Sequence, residues 1–186
     1  MSVPDLFSLR PMREGDLRTV LSWRNSERIR AVSFSNHEIT WEEHVAWYER
    51  SKSDDSIQPM VFECGGELMG VVNFTQIDRQ AESSVWGFYI GDRQAPKGSG
   101  SIMGFLALDY AFGELGLQTV VGESFVWNDA SVRHHQRLGF REVEEARLRV
   151  RKNGETQDVM RLRVTAEWWD RLRSSLEQAL FPKGKA

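Results

Sequence analysis

The sequence predicts an α/β domain in which helices flank a mixed, mostly antiparallel sheet. Three observations indicate that class. Short apolar runs separated by turn residues open the chain, a strand–helix–strand–helix block occupies its centre, and a hairpin pattern around an Asn-Gly turn comes after that block. With 186 residues the chain can bury a core as one domain. We therefore expect a single domain over residues 1–186, with its core in residues 5–164 and a C-terminal helix over residues 165–180.

Turn and capping residues divide the chain into its elements. Thr40 is a good helix N-cap, and Glu43 three residues later completes a capping box. The turns 64–67 and 152–155 each separate two apolar runs, as hairpin turns do. We expect helices after residues 13–16, 40, 100 and 131 and over residues 165–180. Strands are expected over residues 6–10, 60–63, 68–74, 84–90, 119–126, 142–151 and 158–164.

Composition argues against several classes of function. A net charge of −3 gives no reason to expect a nucleic-acid partner. No apolar run approaches the roughly 20 residues that span a bilayer, and the first residues lack the pattern of a secretory signal. The single cysteine, Cys64, excludes an internal disulfide and fits a reducing compartment. We expect a cytoplasmic protein with no nucleic-acid or membrane partner.

The histidines do not predict a metal site. His37, His44, His134 and His135 lack the spacing of a closed metal site. His134 and His135 are neighbours on a predicted helix, where successive side chains point about 100° apart. We therefore expect no metal.

A glycine-rich loop joins the apolar run 85–90 to a predicted helix. Bare main-chain N–H groups and the positive end of a helix dipole meet in such a loop, which suits a pyrophosphate group. Taken alone, the loop is equally an ordinary β–turn–α connection with permissive glycines. The segments after that helix make the pattern more specific: a second strand, an Asn-Asp-Ala-Ser segment at 128–131, another helix, and a Leu-Gly-Phe ending at 138–140.

This ordered set resembles the GNAT (Gcn5-related) N-acetyltransferase superfamily. The family's pyrophosphate loop is usually Gln/Arg-x-x-Gly-x-Gly/Ala, and an Asn-x-x-Ala/Ser motif and a Tyr-x-x-x-Gly-Phe ending come after it. These are matched here by Gly98, Gly100, Asn128, Ser131 and the Gly139-Phe140 ending. Two positions depart, since Ala95 replaces the first Gln/Arg and His135 replaces the tyrosine. The resemblance implies the GNAT fold and acetyl-CoA as co-substrate.

The resemblance also implies the cofactor contacts. In the family, the strand before the loop splays from its neighbour, and its free backbone groups pair with the pantetheine amides. A backbone N–H in this place would polarise the thioester carbonyl, although core packing explains an aromatic residue there equally well. We expect the cofactor to contact Tyr89, Ile90, Lys97, Gly98, Ser99, Gly100, Ser101, Asn128 and Ser131.

Two residues are candidates for proton transfer. His135 stands where most family members place a tyrosine that protonates the coenzyme A thiolate, and imidazolium is the stronger acid. The alternative is a helix residue at the cofactor's rim. Glu123, five residues before Asn128, is the leading candidate for the base that deprotonates the acceptor ammonium. An edge glutamate paired with an arginine fits the sequence about as well.

The acceptor is predicted from the N-terminal third. The order Trp-Arg-Asn at 23–25 and His-x-x-Trp at 44–47 resembles the PseH-type branch. Those enzymes acetylate a UDP-linked 4-amino-4,6-dideoxy sugar on the route to pseudaminic acid for flagellin glycosylation. The resemblance implies a nucleotide-linked amino sugar, and an arginine there can grip a diphosphate. We expect it to contact Arg24, Phe34, His44, Trp47 and Asn73.

Two other functions stay open from the sequence. RimJ/RimL-type protein acetyltransferases share the first strand, helix and Trp-Arg/Asn element, so an N-terminal protein or small-amine N-acetyltransferase is the first alternative. The second is a degenerate GNAT interaction module, against which Gly98, Gly100 and Asn128 count. An exposed strand edge or the Trp168-Trp169 pair could form a homodimer contact, and a packed last helix explains both tryptophans equally well.

Overall fold

The computed structural model describes residues 6–143 and 148–182. Residue 5, the predicted start of the core, and residues 144–147 of the predicted strand 142–151 lie outside the described residues. The strands are β1 Phe7–Pro11, β2 Gln58–Cys64, β3 Glu67–Asp78, β4 Ser83–Ile90, β5 Thr119–Phe125, β6 Arg141–Glu142, β7 Leu148–Lys152 and β8 Glu155–Thr165. The helices are α1 Leu17–Asn25, α2 Glu27–Val32, α3 Trp41–Ser51, α4 Ser99–Asp109, α5 Asp129–Arg137 and α6 Ala166–Leu180.

The sheet is mixed and mostly antiparallel, as predicted. Its strand order is β1-β2-β3-β4-β5-β8-β6, and β7 pairs with β8 off this path. Within the described strands, β4 and β5 form the one parallel pair. A parallel pair needs a crossover, which the loop after β4 and α4 provide. No helix of the described chain is long and apolar enough to cross a membrane.

Local signals placed most elements within a few residues. Thr40 and Glu43 form the predicted capping box at the start of α3. Asn153 and Gly154 both take positive φ angles, 53° and 84°, as the tight turn between β7 and β8 requires. Two features differ from the prediction. The short helix α2 was not foreseen, because six residues show too little periodicity. The predicted strand 142–151 overlaps two strands, β6 and β7, which pair with separate parts of β8.

Two apolar clusters cover the two faces of the sheet. The larger one joins α4, α6 and Leu138, the residue after α5, and includes the buried side chains of Met103, Leu108 and Trp169. The smaller one joins α1 and α3 to the other face, around Leu17 and Val71. Trp169 is 1% exposed, and its indole N–H donates to Asp109 at 3.0 Å. The packed last helix therefore accounts for Trp169, which is not available for a dimer contact.

Candidate active site

The centre of the sheet opens where β4 and β5 separate. Their parallel pairing runs from Ser83↔Thr119 to Trp86↔Gly122 and then stops. Residues 87–90 of β4 continue to pair with β3 on the other side, up to Ile90↔Gly70. Backbone groups on the β5 side of residues 87–90 are therefore left without a strand partner in the described chain. This is the splay that the sequence resemblance implied, and it leaves a cleft in the sheet between residues 87–90 and β5.

The glycine loop lies at one end of that cleft. A cavity of about 460 Å³ is lined there by Arg28, Ile90, Arg93, Gly98, Ser99 and Gly100, among others. Gly98 is the N-cap of α4, and its φ of 90° is a conformation that glycine adopts without strain. Ser99 is 2% exposed, and its hydroxyl has no hydrogen-bond partner among the described residues. The cavity thus combines a helix N-terminus with a buried polar atom that has no protein partner.

The loop N–H groups are not all free. The N–H of Ser99 donates to the Pro96 carbonyl at 3.1 Å, and that of Ser101 donates to the Gly98 carbonyl at 2.9 Å. No backbone partner is found in the described chain for the N–H groups of Gly98 and Gly100. Of the four N–H groups expected to face a pyrophosphate, two are therefore engaged within the loop and helix. Lys97 is exposed beside them.

Arg28 belongs to this cavity and was not predicted from the sequence. It lies on α2, and its Nη2 donates to the Gly91 carbonyl at 2.8 Å. With Arg93 it places two cations beside the glycine loop, where the family's usual Gln/Arg is replaced by Ala95. Arg28 was missed because α2 was not predicted. Without that helix, nothing in the sequence indicates that residue 28 lies near residue 98.

Asn128 and Ser131 act on each other. The Asn128 side-chain oxygen accepts a hydrogen bond from the Ser131 N–H at 3.2 Å and caps α5. Neither residue lines the cavity at the glycine loop or the larger cavity beside α1 and α3. Their expected cofactor contacts stay a prediction, and their contribution in this structure is to fix the start of α5.

The larger cavity, of about 610 Å³, lies between α1, α2, α3 and the sheet. We call it the acceptor cavity. The structure brings together in its wall all five residues expected to contact the acceptor: Arg24, Phe34, His44, Trp47 and Asn73. Gly87, Phe88 and Tyr89 from the unpaired part of β4 also line it, so it adjoins the cleft. Tyr89 therefore lines the acceptor cavity, while Ile90 lines the cavity at the glycine loop.

Three polar atoms in the acceptor cavity have no partner. Arg24 Nη1, His44 Nε2 and Asn73 Oδ1 are each buried without a hydrogen bond in the described chain. A buried polar group left unpaired costs about 1–3 kcal/mol, so such atoms indicate where a ligand binds. Burial lowers the pKa of Arg24, and the charge of Arg30 lowers it further, while a contribution from Tyr89 opposes both.

His44 is poised to accept a hydrogen bond. Burial lowers the pKa of His44, and a backbone hydrogen bond to Leu17 opposes that effect. Nε2 has no hydrogen-bond partner in the described chain, and a neutral ring with its proton on Nδ1, towards the Leu17 backbone, would leave the lone pair on Nε2. The neutral ring then directs an unprotonated Nε2 into the cavity, where it can accept a proton or an N–H bond.

His135 does not have the geometry of the predicted acid. It is 1% exposed, its Nδ1 bonds the Ser131 carbonyl at 2.8 Å, and its Nε2 receives the indole N–H of Trp86 at 3.1 Å. Burial lowers its pKa to about 4, so the ring is neutral at pH 7. With Nδ1 donating and Nε2 accepting, no proton is free for a thiolate. His135 is a core residue in this structure, whereas the alternative considered from the sequence was a helix residue at the cofactor's rim.

Glu123 lies on the expected side of the sheet but has a partner. A Cβ on Gly122 would come within 2.2 Å of His135, so Gly122 faces α5 and Glu123 faces the side of the acceptor cavity. Its carboxylate accepts from Arg161 Nε at 3.1 Å across the β5–β8 pair. Glu123 does not line the cavity. Its role as base stays a prediction, and the alternative of an arginine-paired glutamate describes its present contacts.

The Trp-Arg-Asn segment is largely structural. The ring of Trp23 packs against Gly91. The side chain of Asn25 bonds both the N–H and the carbonyl of Ile39, at 2.9 and 2.8 Å, and so holds the segment before α3. Of this segment, Arg24 alone lines the acceptor cavity. Two residues of this motif therefore connect α1 to neighbouring segments, and the motif is a poor indicator of which acceptor binds.

Comparison with known proteins agrees with this architecture. The family model described as acetyltransferase (GNAT) domain matches residues 7–141. Spermidine N(1)-acetyltransferase of Escherichia coli (strain K12) is 25% identical over 154 residues, which cover 83% of this chain and 83% of that protein.

Solved structures give the same picture. Spermidine N-acetyltransferase from Vibrio cholerae in complex with CoA and spermine superposes with a TM-score of 0.81 at 24% identity, over 89% of this chain and 98% of that one. A dodecameric structure of the Vibrio cholerae enzyme gives a TM-score of 0.75 at 25% identity, over 90% of this chain and 98% of that one. The first of these likenesses shows the fold alone.

The prediction of a UDP-linked amino sugar as acceptor is wrong. The relative and the solved structures described above are spermidine N-acetyltransferases, not PseH-type enzymes. The predicted roles in pseudaminic acid synthesis and flagellin glycosylation depended on this acceptor and are not supported either. The physical reason is that Trp23 and Asn25, two of the three residues in the segment that suggested this branch, serve packing and loop geometry.

Proposed function

This chain belongs to the GNAT acetyltransferase domain family and is an acetyl-CoA-dependent N-acetyltransferase, and we propose that it acetylates a primary amine of a small molecule, with polyamines as the first acceptors to test. The observation that carries the proposal is the acceptor cavity. Its volume of about 610 Å³ is in the range of small-molecule sites. It adjoins the splayed strand, so an amine held there is next to the cleft.

The residues at the glycine loop fit coenzyme A. The buried Ser99 hydroxyl and the two N–H groups of Gly98 and Gly100 are donors without a backbone partner in the described chain, at the positive end of α4. Arg28 and Arg93 add positive charge. When bound, acetyl-CoA supplies the activated acyl group as a thioester. The backbone N–H groups on the open side of residues 87–90 can donate to its carbonyl oxygen and stabilise the developing charge.

The acceptor amine needs to lose a proton before it attacks. His44 Nε2 offers a lone pair inside the cavity and can hold an amine N–H. Glu123, on the same side of the sheet, is the proposed base, reached directly or through a water. In that arrangement His44 orients the amine and Glu123 takes the proton. No step uses His135, because both of its ring nitrogens are engaged; the coenzyme A sulfur that departs as the C–S bond breaks would take the second amine proton or a proton from water.

Charge in the cavity bears on the choice of acceptor. Glu43 is the one carboxylate in its described wall, and the Thr40 backbone bond and His37 lower its pKa. A polyamine can therefore place one ammonium group at Glu43 while another amine reacts. The relatives support this reading, since their names specify spermidine.

A second candidate acceptor is an amine that carries a carboxylate, such as an amino-acid analogue. The unpartnered Nη1 of Arg24 favours it, because a guanidinium pairs well with a carboxylate. A polycation gains nothing from Arg24, whereas an amino acid can pair with it and present its amine to His44.

The test measures release of coenzyme A from acetyl-CoA with spermidine, spermine, a set of α-amino acids and peptides with free N-termini. Saturable release with spermidine or spermine supports the polyamine reading. Release with amino acids and none with polyamines favours the second candidate. Release with peptides alone would overturn a small-molecule acceptor in favour of a protein N-terminus.

A further inference from the structure

Lys152 is buried, and no carboxylate of the described residues pairs with it. It is 9% exposed at the end of β7. Its ammonium donates three hydrogen bonds, to the carbonyls of Arg30 at 2.9 Å, Ala31 at 2.5 Å and Ser33 at 2.6 Å. An ammonium group has three donors, and all three are used. The carbonyls come from the last turn of α2 and the residue after it, where a cation is favoured.

The bound segment is one wall of the acceptor cavity. Val32, Ser33, Phe34 and Ser35 all line that cavity. The Phe34 ring meets Phe125 edge-on, with ring centroids 5.0 Å apart, and the Lys152 ammonium lies 5.1 Å from the centre of the Phe125 ring. Residues 32–35 are therefore held between β5 and the tip of the β7–β8 hairpin.

A second contact strengthens this attachment. Asn36 Nδ2 donates to the side-chain oxygen of Asn153 at 3.1 Å, one residue past Lys152. The hairpin tip thus touches the segment at both ends. The segment has little regular structure of its own, because α2 ends at Val32 and α3 begins at Trp41. These contacts to the hairpin compensate for the missing helix or sheet bonds.

We propose that the β7–β8 hairpin is a clamp on the acceptor cavity, with Lys152 as the positioning residue that holds residues 30–36 in their binding conformation. The role of the cavity in this inference rests on the proposed function. The clamp lies in the part of the chain after residue 141, where the family model ends. Acceptor affinity is thereby set by residues outside the stretch that the family model matches.

The burial of the Lys152 ammonium, which pairs with no carboxylate among the described residues, supports a positioning role for this side chain. Taking a cation out of water is costly unless hydrogen bonds compensate for it. Here the charge of Arg24 adds repulsion, since burial and then Arg24 lower the pKa of Lys152. A methionine of similar length would fill the same space without that cost. A lysine at this position is explained if its three hydrogen bonds are needed to hold residues 30–36 in place.

The test uses Lys152→Met in the full-length protein. Amide hydrogen exchange of residues 31–36 should speed up by tenfold or more. With an acceptor identified from the amine panel, KM for that amine should rise by about tenfold, while acetyl-CoA affinity stays within twofold. Lys152→Arg should be intermediate, because a planar guanidinium retains the charge but cannot serve three converging carbonyls equally.

Two further variants serve as control and second test. Arg151→Met removes an exposed neighbour whose described hydrogen bond goes to the Gly154 carbonyl, within the hairpin, and should change neither quantity. Asn153→Gly deletes the contact to Asn36 but preserves the positive φ of the turn, so it tests the clamp if Lys152→Met fails to fold.

The outcomes separate the clamp from the proposed function. Unchanged exchange at residues 31–36 in folded Lys152→Met, or in Asn153→Gly if the former does not fold, would overturn the clamp. A native protein that acetylates no amine of the panel would refute the proposed function, while hydrogen exchange would still decide whether the clamp exists. Faster exchange with an unchanged KM would overturn the role of Lys152 in acceptor binding.

Discussion

The indole ring of Trp23 lies directly against Gly91, where a Cβ would come within 2.0 Å of the ring. Arg28 bonds the carbonyl of the same glycine. Gly91 is the first residue after β4 and begins the loop that leads to Gly98. The packing of Trp23 therefore connects α1, a wall of the acceptor cavity, to the start of the glycine loop.

Gly91→Ala should disturb both sites at once. Overpacking against a ring typically costs about 1–3 kcal/mol of unfolding free energy, and the shift should weaken acetyl-CoA and acceptor binding together. Urea unfolding and acetyl-CoA titration measure the two effects. Trp23→Leu makes room for the new methyl group, so Gly91→Ala should cost less in that background. Equal costs in both backgrounds would contradict the direct contact.

Gly98→Val should weaken acetyl-CoA binding by tenfold or more without unfolding the domain. A Cβ on Gly98 meets no described atom within 4 Å, so the loss would come from backbone strain at φ 90° and from obstruction of the phosphates. Gly116 is a matched control, since it also has a positive φ, 66°, and open space around it, but lies after α4. Equal acetyl-CoA affinity in Gly98→Val and Gly116→Val would argue against the loop as the pyrophosphate site.

Glu43→Gln should separate the two candidate acceptors. Glutamine can still complete the capping box with Thr40, so α3 should keep its stability while the cavity loses its carboxylate. KM for a polyamine should rise by about three- to fivefold, because contacts between exposed charges are weak. KM for an amino acid should not rise. An unchanged polyamine KM would show that Glu43 does not hold the second ammonium.

Glu123→Gln should lower turnover by roughly a hundredfold near neutral pH, the usual scale for loss of a general base. The effect should shrink at high pH, where more of the amine is already deprotonated. Asp158→Asn provides the control, because Asp158 pairs with Arg149 on the outer hairpin as Glu123 pairs with Arg161. Near-native turnover of Glu123→Gln at pH 7 would mean that a group other than Glu123 takes the proton from the acceptor amine.

The stability of the fold should fall as pH drops below about 6.5. Burial lowers the pKa of His134 to about 3 and that of His135 to about 4, from an ordinary value of 6.5. Below pH 6.5 the unfolded chain binds protons that the folded chain excludes, so the unfolding free energy rises with pH in this window. Each histidine contributes up to about 1.4 kcal/mol per pH unit between pH 6.5 and its folded pKa.

Urea unfolding at pH 7.0, 6.0 and 5.0 measures this slope. His134→Gln should reduce it, since a glutamine does not titrate. The side chain of His134 packs 4.7 Å from Phe88 and faces Gly104, so the variant is compared by slope and not by absolute stability. A flat profile between pH 7.0 and 5.0 would mean that the two rings are not held neutral.

The local part of the structure could be predicted because its signals lie within a few residues of one another. The capping box of Thr40 and Glu43 and the turn at Asn153 and Gly154 depend on contacts between near neighbours. The glycine loop was equally readable, since Gly98 needs its positive φ whatever surrounds it. The resemblance to the PseH-type branch also named five residues that line the acceptor cavity, although the acceptor that it implied was wrong.

The sequence by itself determined the order of elements, the mixed sheet and the glycine loop, because periodicity, turns and caps act locally, and the acetyltransferase class came from the resemblance to the GNAT family. The acceptor was mispredicted from a motif whose Trp23 and Asn25 serve packing. Only the tertiary structure decided that Arg28 lines the cavity at the glycine loop, that His135 is enclosed by Trp86 and Ser131, and that Lys152 holds residues 30–33. These pairings join residues far apart in the chain, and they form because burial forces each polar group to find whichever partner the fold brings near.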